Sequence, residues 1–177
     1  MKSLQKFTYL IILVLLSISY NGFSQEKSTK KLSDDDLINA AKEIMIEAET
    51  CALITLDEEG RPRVRVMDPF IPENDLTVWF GTNAKSRKVD QIKKDPRVTL
   101  YYLDSDSSGY VMIYGNAQIV ADENEKNKWW KDKWNDFYPN KKNYLLIKVS
   151  PIWMEVISES RKIVGDTITW QPSKVLF

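Results

Sequence analysis

The stretch Trp79-Phe80-Gly81-Thr82-Asn83-Ala84-Lys85-Ser86-Arg87-Lys88-Val89-Asp90-Gln91-Ile92 decides the fold. An apolar strand ends in Gly81-Thr82-Asn83, a tight turn follows, and Ser86 caps a short helix. Arg87 and Lys88 fall in the first turn of that helix, where cations oppose the helix dipole. Helix stability alone disfavours them there. An anion reverses the balance, because free amides, the hydroxyls of Thr82 and Ser86 and two cations together hold a phosphate. Val89 and Ile92, three residues apart, pin the opposite face of the helix to the body of the protein.

Upstream, residues 51–56 form an apolar strand, Asp57-Glu58-Glu59-Gly60 a turn, and residues 63–67 a second strand. Its two faces differ: Val64 and Val66 project one way, Arg63 and Arg65 the other. Either arginine alone reads as a solvated outer residue. Beside Ser86-Arg87-Lys88, one of them reaches the same phosphate from the opposite side. Further strands are expected at 76–80, 98–103, 110–120, 145–149 and 153–158, with the polar loop 104–109 between the fourth and fifth. Helices are expected after Ser33, whose hydroxyl caps the run from Asp34 to about Ala48, over 87–94 up to Asp95-Pro96, and over 122–137 up to Pro139. About seven strands with short turns and few helices predict a mainly β fold, an antiparallel barrel with peripheral helices.

Two absences prune the chemistry. The chain has no histidine, which excludes Ser-His-Asp and Cys-His catalysis and histidine-held metal. It has one cysteine, Cys51, so there is no intrachain disulfide and no cysteine-rich metal site. Cys51 heads an apolar run and reads as a buried structural thiol. Residues 104–109 open like a calcium loop, but the twelfth position is Gly115 rather than the glutamate such a loop needs. No metal site is expected. Residues 126–142 mix lysines with Trp129, Trp130, Trp134, Phe137 and Tyr138. Trp130, Trp134 and Phe137 share a helical face, so this is packing on the barrel rather than a single-strand nucleic-acid platform. Trp170 either packs or covers a bound ring.

At the N-terminus, Lys2 and Lys6 precede the apolar run from Phe7 to Ile18, which meets Asn21-Gly22-Phe23-Ser24. This predicts a signal peptide over 1–24, too short to span a membrane comfortably, and an exported protein, periplasmic or extracellular. An uncleaved anchor is the alternative. Residues 25–32 read as a flexible leader, 33–160 as the barrel domain and 161–177 as a C-terminal extension packing on it. Without the signal peptide the chain carries 23 basic and 25 acidic residues. That balance gives no global attraction to nucleic acid or anionic lipid, so anion binding must be local.

The stretch 78–115 resembles the flavin-binding core of pyridoxamine 5'-phosphate oxidases and their general-stress-protein relatives. Phe80-Gly81-Thr82-Asn83, Ser86-Arg87-Lys88, Gln91-Ile92, Asp95-Pro96-Arg97-Val98 and Val111-Met112-Ile113-Tyr114-Gly115 carry the likeness. Weaker similarity extends over 34–158. The resemblance implies an FMN-binding split β-barrel, a homodimer with flavin at its interface, and FMN as cofactor with FAD as the alternative. It places Arg65, Arg87 and Lys88 on the flavin phosphate, Ser86 beside them, and Gly81 and Thr82 beside the ribityl chain and phosphate. The backbone of Val66 and Met67 would run along the isoalloxazine ring. Tyr110 stands where the oxidases carry a flavin-contacting glutamine. The oxidases' lysine at the end of the arginine strand is replaced here by Asp68-Pro69-Phe70, and their C-terminal arginine-and-histidine signature is absent. Pyridoxamine phosphate is therefore not the expected substrate. The implied activity is a flavin-dependent oxidoreductase acting on a small molecule, of the short general-stress-protein branch. Its rivals are a non-catalytic flavin or phosphoanion carrier and a structural barrel with an empty pocket.

Overall fold

The computed structural model describes residues 32–177. The expected signal peptide and nearly all of the expected leader lie outside the described residues. Helix α1 (Asp34–Glu47) begins with a capping box: Asp36 N–H donates to Ser33 Oγ at 3.1 Å, and Ser33 N–H donates to Asp36 Oδ2 at 3.2 Å. The strands are β1 (Cys51–Leu56), β2 (Pro62–Met67), β3 (Val78–Asn83), β4 (Arg97–Leu103), β5 (Gly109–Val120), β6 (Tyr144–Ser158) and β7 (Ser173–Leu176). Helix α2 (Arg87–Lys94) lies between β3 and β4, and α3 (Glu123–Lys128) follows β5.

All pairings are antiparallel, in the order β2-β1-β4-β5-β6-β3. The chain just past β2 then returns to β3, where Phe70 N–H donates to the Trp79 carbonyl at 2.9 Å and Pro69 bridges Phe80. That contact closes the barrel, as the strand count and short turns predict. Its interior is filled by Leu53, Phe80, Leu100, Tyr102, Ile113, Ile147 and Met154, all essentially without solvent access. Each such side chain contributes about 1.5–3 kcal/mol by leaving water. Cys51 lies in this core, where burial pushes its thiol up to about 12, so it is no nucleophile.

Two expected strands prove to be one. Residues 144–158 run continuously, pairing β3 with their first half and β7 with their second. Pro151 is tolerated because the β5–β6 register slips there, between Tyr114 and Gly115. β7, formed within residues 161–177, has no counterpart in the sequence reading.

The expected helix over 122–137 stops at Lys128 and gives way to single 3-10 turns at Asp132–Trp134 and Lys141–Asn143. Packing overrides the helical period. Trp129 stacks on Trp79 at 5.3 Å between ring centroids, and Trp134 meets Phe70 at 5.6 Å and Tyr144 at 5.4 Å. A straight helix could not turn both tryptophans onto that surface. Phe137, expected on the packed face, is 74% exposed, and Trp129 occupies the cluster in its place. Asp104, expected in a solvated loop, is also buried.

Candidate functional site

The second strand inverts the ordinary polarity of a barrel. Arg65 pairs with Leu53 and shares its inward side, whereas Val64 and Val66 point outward and are 65% and 75% exposed. An inward arginine on an edge strand requires a reason. Arg65 is held by neutral acceptors only: its two terminal nitrogens donate to Thr55 Oγ1 at 2.8 Å and Gln91 Oε1 at 3.1 Å. Arg63, the other candidate on this face, is committed elsewhere, its Nε lying 2.9 Å from Asp57 Oδ2.

Opposite Arg65 stands the start of α2. Ser86 has the extended backbone of an N-cap, but its side chain does not cap the helix. Instead Lys88 Nζ donates to Ser86 Oγ at 2.8 Å and to Thr82 Oγ1 at 3.2 Å. The expected cap is thus corrected. The hydroxyls accept from the lysine, which leaves their own hydrogens to donate outward. Lys88 is half-buried, and burial followed by the nearby Arg65 charge pulls its ammonium below the ordinary lysine value. Burial, then Arg87 and then Arg63, lowers the Arg65 guanidinium in the same way.

Among the described residues, Arg65, Arg87 and Lys88 form no ion pair with any carboxylate. Three cations crowded together and unpaired disfavour the folded state unless an anion joins them. Arg87 is exposed and lines a groove of about 250 Å³ running from the β1–β2 turn to α2, shared with Arg61, Arg63, Gln91 and Lys94 and with the carboxylates of Asp57, Glu58, Glu59 and Asp90. Arg65, Thr82, Ser86 and Lys88 lie off its wall. Lys88 ties Thr82 and Ser86 together at the start of α2, and Arg65 reaches the groove through Gln91, so that with Arg87 the five residues form one cationic cradle beside it.

The other sequence candidates are placed differently. Gly81 precedes Thr82 on β3, but its α-carbon faces the aromatic cluster. A Cβ there would lie 2.5 Å from Trp134 Cη2 and 3.0 Å from Tyr144 Cε2. Gly81→Ala is therefore expected to destabilise the protein by about 1–3 kcal/mol through overpacking. Urea denaturation checks this, and an unchanged midpoint would show that Trp134 moves freely. Met67 is partly buried against the core, one strand position beyond the outward Val66. Tyr110 does not join the cradle. It stacks on Tyr101 at 5.3 Å, on the outer face of β5, three strands from β2 and so about 14 Å away. Trp170 is 85% exposed just ahead of β7 and covers nothing among the described residues.

Sequence reasoning missed Thr55 and Gln91. Thr55 had a signal: in β1 the inward positions are Cys51, Leu53 and Thr55, and a hydroxyl at an inward position needs a partner. Gln91 stood in a motif that carries the family likeness, but periodicity gave it no role, because a glutamine on a helix surface is ordinary.

A family model described as pyridoxamine 5'-phosphate oxidase like matches residues 36–165. A search of the curated proteins finds no match to this chain. Among solved structures, a general stress protein 26-related protein from Clostridium acetobutylicum superposes with a TM-score of 0.67 at 19% identity, over 82% of this chain and 97% of its own. General stress protein 26 from Bacillus anthracis superposes at 0.63 with 22% identity, over 80% and 98% respectively. A pyridoxamine 5'-phosphate oxidase-related, FMN binding protein from Nostoc punctiforme superposes at 0.58 with 15% identity, over 83% and 98%. At these identities the likeness concerns the fold, whereas the family match covers most of the chain, including both arginine strand and cradle. The chain belongs to the pyridoxamine 5'-phosphate oxidase-like family and has its split-barrel fold.

Proposed function

We propose that the cradle holds the phosphate of FMN and that the protein is an exported, homodimeric, flavin-dependent oxidoreductase acting on a small molecule. One observation carries the cofactor reading: Arg65, Arg87 and Lys88 stand close enough to feel one another's charge, yet among the described residues none of them is paired with a carboxylate. Three cations match a doubly charged terminal ester better than the singly charged linkages of FAD. The Thr82 and Ser86 hydroxyls, each accepting from Lys88, have their hydrogens left for ester oxygens. Bound FMN supplies two-electron chemistry, and the chain's own part is binding, orientation and charge.

The outer sheet surface supports the dimer. Along it run Val64 and Val66 of β2, Tyr101 and Leu103 of β4, Tyr110 of β5 and Leu176 of β7, and most of these stand open to water. A second copy covering that surface would also bring a Tyr110 towards the first copy's flavin, which its own chain cannot do. The apolar run over 7–18 is what supports export.

Titration of the purified protein with FMN is expected to show saturable binding of one flavin per chain. Riboflavin, which lacks the phosphate, is expected to bind at least about a hundredfold more weakly. Absence of saturable FMN binding would sink the cofactor reading. Bleaching of the bound flavin by NAD(P)H separates an oxidoreductase from a non-catalytic carrier.

A further inference from the structure

Arg65 is held by a closed ring of three hydrogen bonds. Its NH1 donates to Thr55 Oγ1 at 2.8 Å, Thr55 Oγ1 donates to Gln91 Oε1 at 2.6 Å, and its NH2 donates to the same Oε1 at 3.1 Å. The three residues come from three elements: β1, β2 and α2. Thr55 is fully buried, and Arg65 and Gln91 are half-buried. A guanidinium has five N–H donors, so two are spent on the ring and three remain.

The chemistry of this ring is specific. For stability alone, a half-buried guanidinium is best served by a carboxylate, and glutamate fits where Gln91 stands. A neutral amide and a hydroxyl fix the geometry equally well without cancelling the charge. The arrangement gives up stability and keeps a full positive charge beside Arg87 and Lys88. We infer that Thr55 and Gln91 are positioning residues, a neutral clamp that orients Arg65 and preserves its charge for the phosphate. Discrimination between a phosphate ester and its uncharged parent thus depends on two residues that need not touch the ligand. This rests on the phosphate reading of the cradle.

The full-length protein tests the clamp through two variants. Gln91→Glu is expected to raise the melting temperature of the ligand-free protein and to lower its FMN affinity by at least about tenfold, because Arg65 gains a permanent counter-ion. A purely structural role would move both quantities the same way. Gln91→Leu is expected to weaken FMN binding by about three- to tenfold, and to have no effect on affinity once Arg65 is already alanine. Loss of stability and affinity together in Gln91→Glu, or an undiminished Gln91→Leu effect in the Arg65→Ala background, would overturn the clamp. Should wild-type protein not bind FMN, the flavin reading fails on its own. Inorganic phosphate, followed by its protection against thermal unfolding, then decides the clamp. Equal protection of wild type and Gln91→Glu overturns it, and protection of wild type alone supports it.

Discussion

A protein carrying both Arg87→Ala and Lys88→Ala is expected to lose FMN, its affinity falling by roughly a thousandfold, while it remains folded. Each side chain offers the phosphate a charge-assisted hydrogen bond, and each such bond contributes about 1.5–3 kcal/mol. Neither has a carboxylate partner whose loss would disturb the fold. Arg87 is exposed, and Lys88 leaves behind only two neutral hydroxyls that water can serve. Removing these charges from around Arg65 also relieves repulsion, so the ligand-free variant should melt no lower than wild type. Fluorescence titration with FMN and circular dichroism of the same samples check both halves. Affinity within threefold of wild type would show that the cradle does not hold the phosphate.

The largest effect on stability is expected at a second cluster, remote from the cradle. Asp104 lies at the end of β4 with its carboxylate wholly buried, accepting from Ser158 Oγ at 2.7 Å and from Arg161 NH1 at 3.1 Å. Arg161 also reaches Glu47 at 2.7 Å and Glu43 at 3.7 Å, so it staples α1 to the turn after β6. Arg161→Met leaves the Asp104 charge in the interior with one hydroxyl for company. Loss of one member of such a pair costs about 3–5 kcal/mol. Urea denaturation should register this, and adding Asp104→Asn should restore part of the loss. A change below about 1 kcal/mol would show that water reaches Asp104.

The fold was legible because its signals are local. Strand alternation, the Ser33 cap and the turn between Asn83 and Arg87 are each written in a few consecutive residues, and the structure agrees with them to within a few positions. The strand at 76–80 starts and ends later, at Val78–Asn83, since Leu76 adopts a left-handed backbone that breaks the run. The errors came where distant residues decide. No local feature of residues 129–138 reveals that Gly81 and Tyr144 will receive Trp134, and so the long helix was overread. The joining of two strands across Pro151 depends on a slip in the partner strand.

The candidate site divides in the same way. Thr82, Ser86, Arg87 and Lys88 are neighbours in sequence and could be read together. Strand alternation placed Arg65 on a face without separating it from Arg63, because the carboxylate that removes Arg63 belongs to a turn; only the family resemblance singled out Arg65. Tyr110 stood in the right strand, but its outward direction and distance from β2 follow from sheet order alone.

The reversed faces of β2 have an evolutionary and folding consequence. Sliding this strand by a single residue against β1 would tuck two valines into the interior and release Arg65 to water, which hydrophobicity by itself rewards. The molecule is thus poised beside a greasier, better-buried and inert version of itself. What guards the frame is Asp57, whose carboxylate accepts from the backbone of Glu59 and Arg61 and from the side chains of Arg61 and Arg63. Only one alignment of the hairpin satisfies all four donors. An aspartate in a surface turn thereby keeps the ligand-binding alignment from collapsing into the idle one.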